Sequence, residues 1–112
     1  MDEKLFHYRA VVTEVYDGDT VTVEVDLGFR IQQTIRVRLA GIDTPELRGD
    51  EREEGLKVRD YVRERVLGKT VILVTTKDKT GKYGRYLGRI FIDGVDLNQE
   101  LLDRGMAKPY KN

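Results

Sequence analysis

Two short turns hold the residues best suited to chemistry: Asp17-Gly18-Asp19-Thr20 and Ile42-Asp43-Thr44-Pro45-Glu46. Taken singly, each is ordinary turn chemistry. Taken together they say more. In a three-strand meander, the turn after the first strand and the end of the third can share one rim of a barrel, which sets Asp19 against Asp43. Two carboxylates with nearby carbonyl oxygens make a hard-cation site, suited to calcium more than zinc. Without a cation, carboxylates held close repel one another. Glu46 lies just beyond and is placed to take a proton from a water beside the metal. Phosphodiester hydrolysis also needs positive charge on the transition state, and arginine supplies it through two parallel hydrogen bonds. Arg38 is close to Asp43 on the third strand; Arg36 shares its face but sits farther from the rim. Arg85 opens a later strand, after Tyr83-Gly84. An isolated arginine is by default a solvated strand residue, so it is the grouping with the acids that carries the reading.

The elements that must position these residues are legible from periodicity. Residues 6–16 alternate, with Val11, Thr13 and Val15 on one face and Tyr8, Ala10, Val12 and Glu14 on the other. Residues 20–27 alternate with Val21, Val23, Val25 and Leu27 inward. Residues 32–40 follow, with Ile35, Val37 and Leu39 on one face and Arg36 and Arg38 on the other. Gly41 interrupts this run, at a point where a kink would turn Asp43 toward the rim. Residues 47–55 read as a polar loop. Residues 56–67 switch to a helical period, with Val58, Val62 and Val66 four apart and Gly68 as the cap. A strand at 70–76, a long polar turn from Lys77 to Gly84 and a strand at 85–92 come next. Asp93-Gly94 marks a hairpin, and Asp96 caps a short helix over 97–104. The fold class expected is mainly β with α: a five-stranded OB-type β-barrel, with a helix between strands three and four and a short helix after strand five.

Length and composition bound the answer. The 112 residues suit one domain, 1–112, with a core over about 9–108 and a tail at 109–112. Apolar residues make up 39% and charged residues 36%, patterned well enough to exclude disorder. With no cysteine, any metal site must use oxygen or the single His7. No apolar run is long enough to span a membrane. Met1-Asp2-Glu3-Lys4 is not the start of a signal peptide, which favours the cytoplasm unless the chain was trimmed. The net charge is zero, unusual for a nucleic-acid binder. Charge is local instead: Lys77, Lys79, Lys82, Arg85 and Arg89 form one basic stretch and Lys108 and Lys111 another. Tyr83, Tyr86 and Tyr110 are interleaved with them as surfaces for bases to stack on, with Tyr86 equally readable as a core or barrel-packing residue.

Four blocks in order resemble the staphylococcal nuclease family. They are Asp17–Thr20, Arg38 through Glu46, Asp78 through Arg85, and Leu97-Asn98 through Gly105-Met106-Ala107-Lys108. The resemblance implies that Asp19 and Asp43 bind calcium, with the Thr44 backbone carbonyl as a further ligand. It implies that Glu46 orients or deprotonates the attacking water, that Arg38 and Arg85 clamp the phosphate, and that Lys82 and Tyr83 contact substrate. It implies cleavage of DNA and RNA to leave 3′-phosphate ends. Two departures stand out. The loop 47–55 is acidic, and the chain stops soon after Lys108, before the family's long C-terminal helix, leaving Tyr110 alone for the substrate-contacting tyrosines of that region.

The function expected is therefore a calcium-dependent nuclease, monomeric and free of membranes, acting on single-stranded or locally melted DNA or RNA. The alternative is a non-catalytic OB module that binds single strands. The retained acids weigh against it, because a pure binder gains nothing from three carboxylates in a phosphate groove.

Overall fold

A computed structural model describes residues 6–80 and 85–111, with side chains for all of these but 77–80. In chain order the elements are β1 (His7–Asp17), β2 (Thr20–Asp26), β3 (Gln32–Leu39), β4 (Ile42–Asp43), α1 (Arg52–Val66), β5 (Thr70–Thr80), β6 (Tyr86–Ile92), β7 (Val95–Asp96), α2 (Leu97–Asp103) and β8 (Lys108–Pro109). The five long strands run β3-β2-β1-β5-β6, and β6 returns to pair in parallel with β3, closing an α+β barrel of the OB kind. The seam is short: Val37 faces Tyr86, Arg38 faces Leu87 and Leu39 faces Gly88.

Inward alternation fills the barrel. Val21, Val23 and Val25 from β2, Val37 and Leu39 from β3, Leu73 from β5 and Ile90 and Ile92 from β6 are buried. Each such side chain contributes about 1.5–3 kcal/mol on leaving water. Val58, Val62 and Val66 lay one stripe of α1 across one end, and Leu97 and Leu101 do the same for α2. Gly68, at φ +76°, ends α1 in the left-handed conformation expected of a glycine there. The Asp96 carboxylate accepts the Gln99 amide and caps α2 as the sequence implies.

Four expectations need correction. β1 carries a bulge between Val12 and Glu14, so the core face runs Ala10, Val12, Val15, and Glu14 stays outside. Leu27 follows the end of β2 and is 42% exposed. The segment 47–55 is not a loop throughout: a 3-10 turn spans Gly49–Glu51 and α1 starts at Arg52. Glu53 and Glu54 suit the positive end of the helix dipole, and Gly55 lies inside the helix. Finally, β5 runs to Thr80 where a turn was expected from Lys77. Backbone pairing needs no apolar side chain, so a hydrophobic pattern stops before the strand does.

Two polar clamps fix the helices. Asn98, fully buried, donates to the carbonyls of Ala40 (2.9 Å) and Gly88 (3.1 Å) and accepts from Ile90 N (3.3 Å), tying α2 to both sides of the seam. Glu100 receives both Arg65 nitrogens at 2.9 Å and the Tyr61 hydroxyl at 2.5 Å, tying α2 to α1. The Arg65 hydrogen bonds hold the Glu100 carboxyl down at about 2 against its partial burial, and Tyr61 adds to the pull. The folded value lies below the ordinary 4.5, so the clamp's contribution is complete above that pH and is lost as pH falls toward 2. Glu100→Gln is expected to cost about 1–3 kcal/mol at neutral pH, with the gap from the parent protein closing in acid; urea unfolding at neutral pH and near pH 2 checks both halves.

Candidate active site at the barrel rim

The β1–β2 turn is built around its aspartates. Asp17 Oδ1 accepts the Asp19 amide at 3.1 Å, a local bond that fixes the turn. Gly18 lies against α1 and the segment after β4: a Cβ there would sit 2.6 Å from Val58 Cγ1 and 3.0 Å from Thr44. Asp19, only 6% exposed, accepts from Thr44 N at 3.1 Å and from the Thr20 hydroxyl at 3.4 Å. The buried carboxylate thus joins the first chemical turn to the second.

Arg38 lies between them. Its Nη1 donates to the carbonyls of Ile42 (2.9 Å) and Leu39 (3.2 Å). Its Nη2 lies 3.5 Å from Asp19 Oδ2 and 3.4 Å from Asp43 Oδ1, one nitrogen bridging both carboxylates. The Tyr110 ring covers the guanidinium at 4.9 Å, held there by the Tyr110 amide on the Gly41 carbonyl (2.9 Å). Gly41 takes φ +78°, which supports the kink read from its position. Asp43 stands in a two-residue antiparallel ladder opposite Lys108. Just before β6, Arg85 Nη1 donates to the Thr20 hydroxyl at 2.9 Å. A polar chain therefore runs Arg85–Thr20–Asp19–Arg38–Asp43 along one rim.

Glu46 is near but less constrained. Its side chain is 62% exposed and lies 3.4 Å from Arg48 Nε, and its charge is felt at Asp43. Its backbone is held tightly: a Cβ on Gly55 would meet Glu46 O at 2.2 Å and Pro45 O at 2.9 Å. Gly55 is therefore where the segment carrying Glu46 rests on α1. Arg36 is exposed on the strand, as its position implied. Lys82 and Tyr83 lie outside the described residues.

The electrostatics favour a cation. Burial, then the hydrogen bond and charge of Asp19, push the Asp17 carboxyl up to about 7. Partial burial raises Asp43, with Asp19 adding to it, Arg38 opposing, and Glu51 and Glu46 adding further. With 53% of the Asp43 side chain in solvent, screening keeps that effect modest. The donors are all hard oxygens, which fits calcium or magnesium better than a transition metal. Among the described residues no group of three or more His, Asp or Glu stands as a ready metal cluster. A cation here would complete its shell with carbonyl oxygens and water, as such ions commonly do.

A small mixed α+β barrel with acids and arginines on one rim defines the class as an OB-type barrel. The sequence matches the family described as staphylococcal nuclease homologue over residues 36–112, and the chain belongs to that family. It is 34% identical to the uncharacterized protein MJ1439 of Methanocaldococcus jannaschii, over 93% of this chain and 60% of that protein. It is 32% identical to a micrococcal nuclease of Shigella flexneri (93% and 59%) and 29% to a thermonuclease of Staphylococcus intermedius (88% and 57%). The chain thus spans about three-fifths of the length of these relatives.

Sequence reasoning named Asp19, Arg38, Asp43, Thr44, Arg85 and Tyr110, and all six meet at this rim. It gave no role to Thr20, which links Arg85 to Asp19, to Glu51, which lines a cleft of about 90 Å³ with Asp43 and Lys108, or to Gly55. Thr20 was inside a quoted motif and could have been found there. Gly55 carried no local signal, because its function is set by a chain crossing nine residues earlier.

Gly55→Ala tests that crossing. In an unencumbered helix the change gains about 1 kcal/mol. Here the overlap with Glu46 O forces the two segments apart, at about 1–3 kcal/mol. The expected outcome is a lower urea midpoint with shifted Thr44 and Glu46 amide resonances; a stabilised protein with unmoved resonances would show the contact to be loose.

Proposed function

We propose that the chain is a metal-dependent nuclease, a single-domain monomer that hydrolyses phosphodiester bonds of single-stranded or locally melted DNA or RNA. The observation that carries this reading is the polar chain from Arg85 through Thr20 and Asp19 to Arg38 and Asp43, which gathers two cations and two acids within hydrogen-bonding reach on one rim. The family membership and the names of the nuclease relatives support it.

In this reading Asp19, Asp43 and the Thr44 carbonyl hold a calcium ion, which when bound neutralises the carboxylates and polarises the phosphate. Arg85 and Arg38 donate to the non-bridging phosphate oxygens. Arg38 Nη1 is committed to two carbonyls, so Nη2 is the nitrogen that turns to the phosphate, exchanging contacts of 3.4 and 3.5 Å for stronger ones. Glu46, on the solvent side of Asp43, orients a water and accepts its proton as the water oxygen bonds to phosphorus. The bond from phosphorus to the 5′ oxygen breaks, that oxygen takes a proton from solvent, and a 3′-phosphate end remains. Tyr110 keeps Arg38 in place and offers the outer face of its ring to substrate, and Lys82 and Tyr83 contact the same strand.

The test is cleavage of heat-denatured DNA and of RNA with calcium, with magnesium and with EDTA. Calcium-dependent cleavage is expected. Glu46→Gln is expected to lower it by about 10²–10⁴-fold and Arg85→Ala by about 10²–10³-fold, with unfolding midpoints near the parent's. No cleavage by the folded protein under any condition would move the reading to a single-strand-binding OB module.

A further inference from the structure

The barrel is closed at one end only. β3 meets β6 over Val37–Leu39, while the first half of β3, from Gln32 to Arg36, has β2 on one side and no paired strand on the other among the described residues. A slot opens there between β3 and the β5–β6 pair. Gln33 and Ile35 form one wall, Leu73, Thr75 and Tyr86 the other, and Tyr8 lies among the lining side chains. The slot holds about 150 Å³, room for one planar ring system and well short of the roughly 300 Å³ and more of drug-sized sites. Its lining is aromatic and aliphatic, with one amide and threonine hydroxyls placed to meet polar ring edges.

Tyr86 links the slot to the rim. Tyr86 follows Arg85 directly and stands opposite Val37, one residue from Arg38. Arg85 reaches the buried Thr20 hydroxyl, and its neighbour Tyr86 lines the slot. Exposed Arg36 lies on β3 between Gln33 and Arg38, a positive residue beside the path from slot to rim. The hairpin after Leu27, which also lines the slot, holds Phe29 and Arg30 at φ +53° and +62° and leaves Phe29 96% exposed. A bulky residue at positive φ is a genuine outlier, and here it leaves an aromatic ring in solvent on the hairpin that follows Leu27.

From this geometry we propose that the slot is a nucleobase subsite: it takes one unstacked base of a strand whose phosphate lies at Arg85 and Arg38. This rests on the nuclease reading for the strand's placement, and deepens it by naming where an adjoining base goes. Gln33 and Arg38 are five residues apart, about 16 Å along a strand, within the four or more nucleotides a barrel of this kind covers. A peptide strand pairing with the open edge of β3 is the competing occupant.

The experiment measures binding in EDTA, where no cleavage interferes. Probes are a thymidine dinucleotide and hexanucleotide and an unrelated extended hexapeptide, against the parent chain, Gln33→Ala and Tyr86→Leu. Parent protein is expected to bind the hexanucleotide at least tenfold more tightly than the dinucleotide. Each variant is expected to cut that ratio to about threefold or less with dinucleotide affinity unchanged, and thymidine is expected to shift the Gln33 side-chain amide resonance in the parent. Gln33 is exposed, so its variant stands if Tyr86→Leu fails to fold. An unchanged ratio in folded Gln33→Ala, or peptide binding with no nucleotide response, overturns the subsite. Cleavage with an unchanged ratio would remove the subsite and leave the nuclease reading; length-dependent binding without cleavage would do the reverse.

Discussion

The short parallel seam between β3 and β6 is the constraint on which the rest depends. Three residue pairs close the barrel, and they bring Arg38 on one strand to the level of Leu87 on the other, two residues from Arg85. The approach is close: a Cβ on Gly88 would lie 2.9 Å from Leu73 Cδ1 and 3.2 Å from both Val37 Cγ1 and the Val74 carbonyl, so these neighbours would have to give way. Asn98 then staples both sides, one carbonyl from Ala40 just past β3 and one from Gly88 in β6. An amide is the right chemistry for this, because it satisfies two acceptors and a donor at once where apolar packing would leave buried groups unpaired. α2 is tied to the seam through this side chain.

Given the seam, the rim's electrostatics follow. Asp17, Asp19 and Asp43 are too close to be comfortable as three anions, and the molecule answers with hydrogen bonds before charge. Thr44 N–H and the Thr20 hydroxyl hold Asp19, the Asp19 amide holds Asp17, and Arg38 is left to compensate two carboxylates with one nitrogen at 3.4 and 3.5 Å. Those distances are long for charge-assisted hydrogen bonds, which favour about 2.7–2.9 Å. The guanidinium is thus well anchored by its carbonyl contacts and only loosely spent on the acids, a state from which it can be redirected.

How much of this was legible in the sequence divides by the range of the interactions. The barrel strands, both helices and the rim carboxylates were readable, because alternation, capping and turn residues are local signals, and the four motif blocks tied them to one family. The β1 bulge was not, since one inserted residue changes no composition and shows only as a shift of register against β2. The start of α1 was misread because Gly55 looks like a loop residue until the backbone of Glu46 is seen lying 2.2 Å from where its Cβ would be. The same holds for Asn98 and Glu100: their partners lie eight or more residues away, and no local periodicity announces them. Family resemblance placed Tyr110 near the site, and the structure supplies the physical reason, its ring over Arg38.

The acidic segment after the second turn looks at first like an obstacle to a polyanion, and its placement changes that. Glu53 and Glu54 belong to the first turn of α1, where the helix dipole favours them. Glu51 lines the cleft on the Asp43–Lys108 side of the rim, while Arg36, Arg38 and Arg85 lie on or beside the β3–β6 seam. Acids and arginines alternate along the rim itself, with Arg38 between Asp19 and Asp43, and α1 carries Arg52, Lys57, Arg59, Arg63 and Arg65 beside its acids, so local charge differs from the zero sum of the whole chain. On the nuclease reading, a phosphate backbone is drawn to Arg36, Arg38 and Arg85 along the seam, which is also the side where the slot opens. The neutral total then carries little weight against nucleic acid as a substrate: what holds a strand is the local grouping of these arginines, and that grouping is set by which residues the short seam places next to one another.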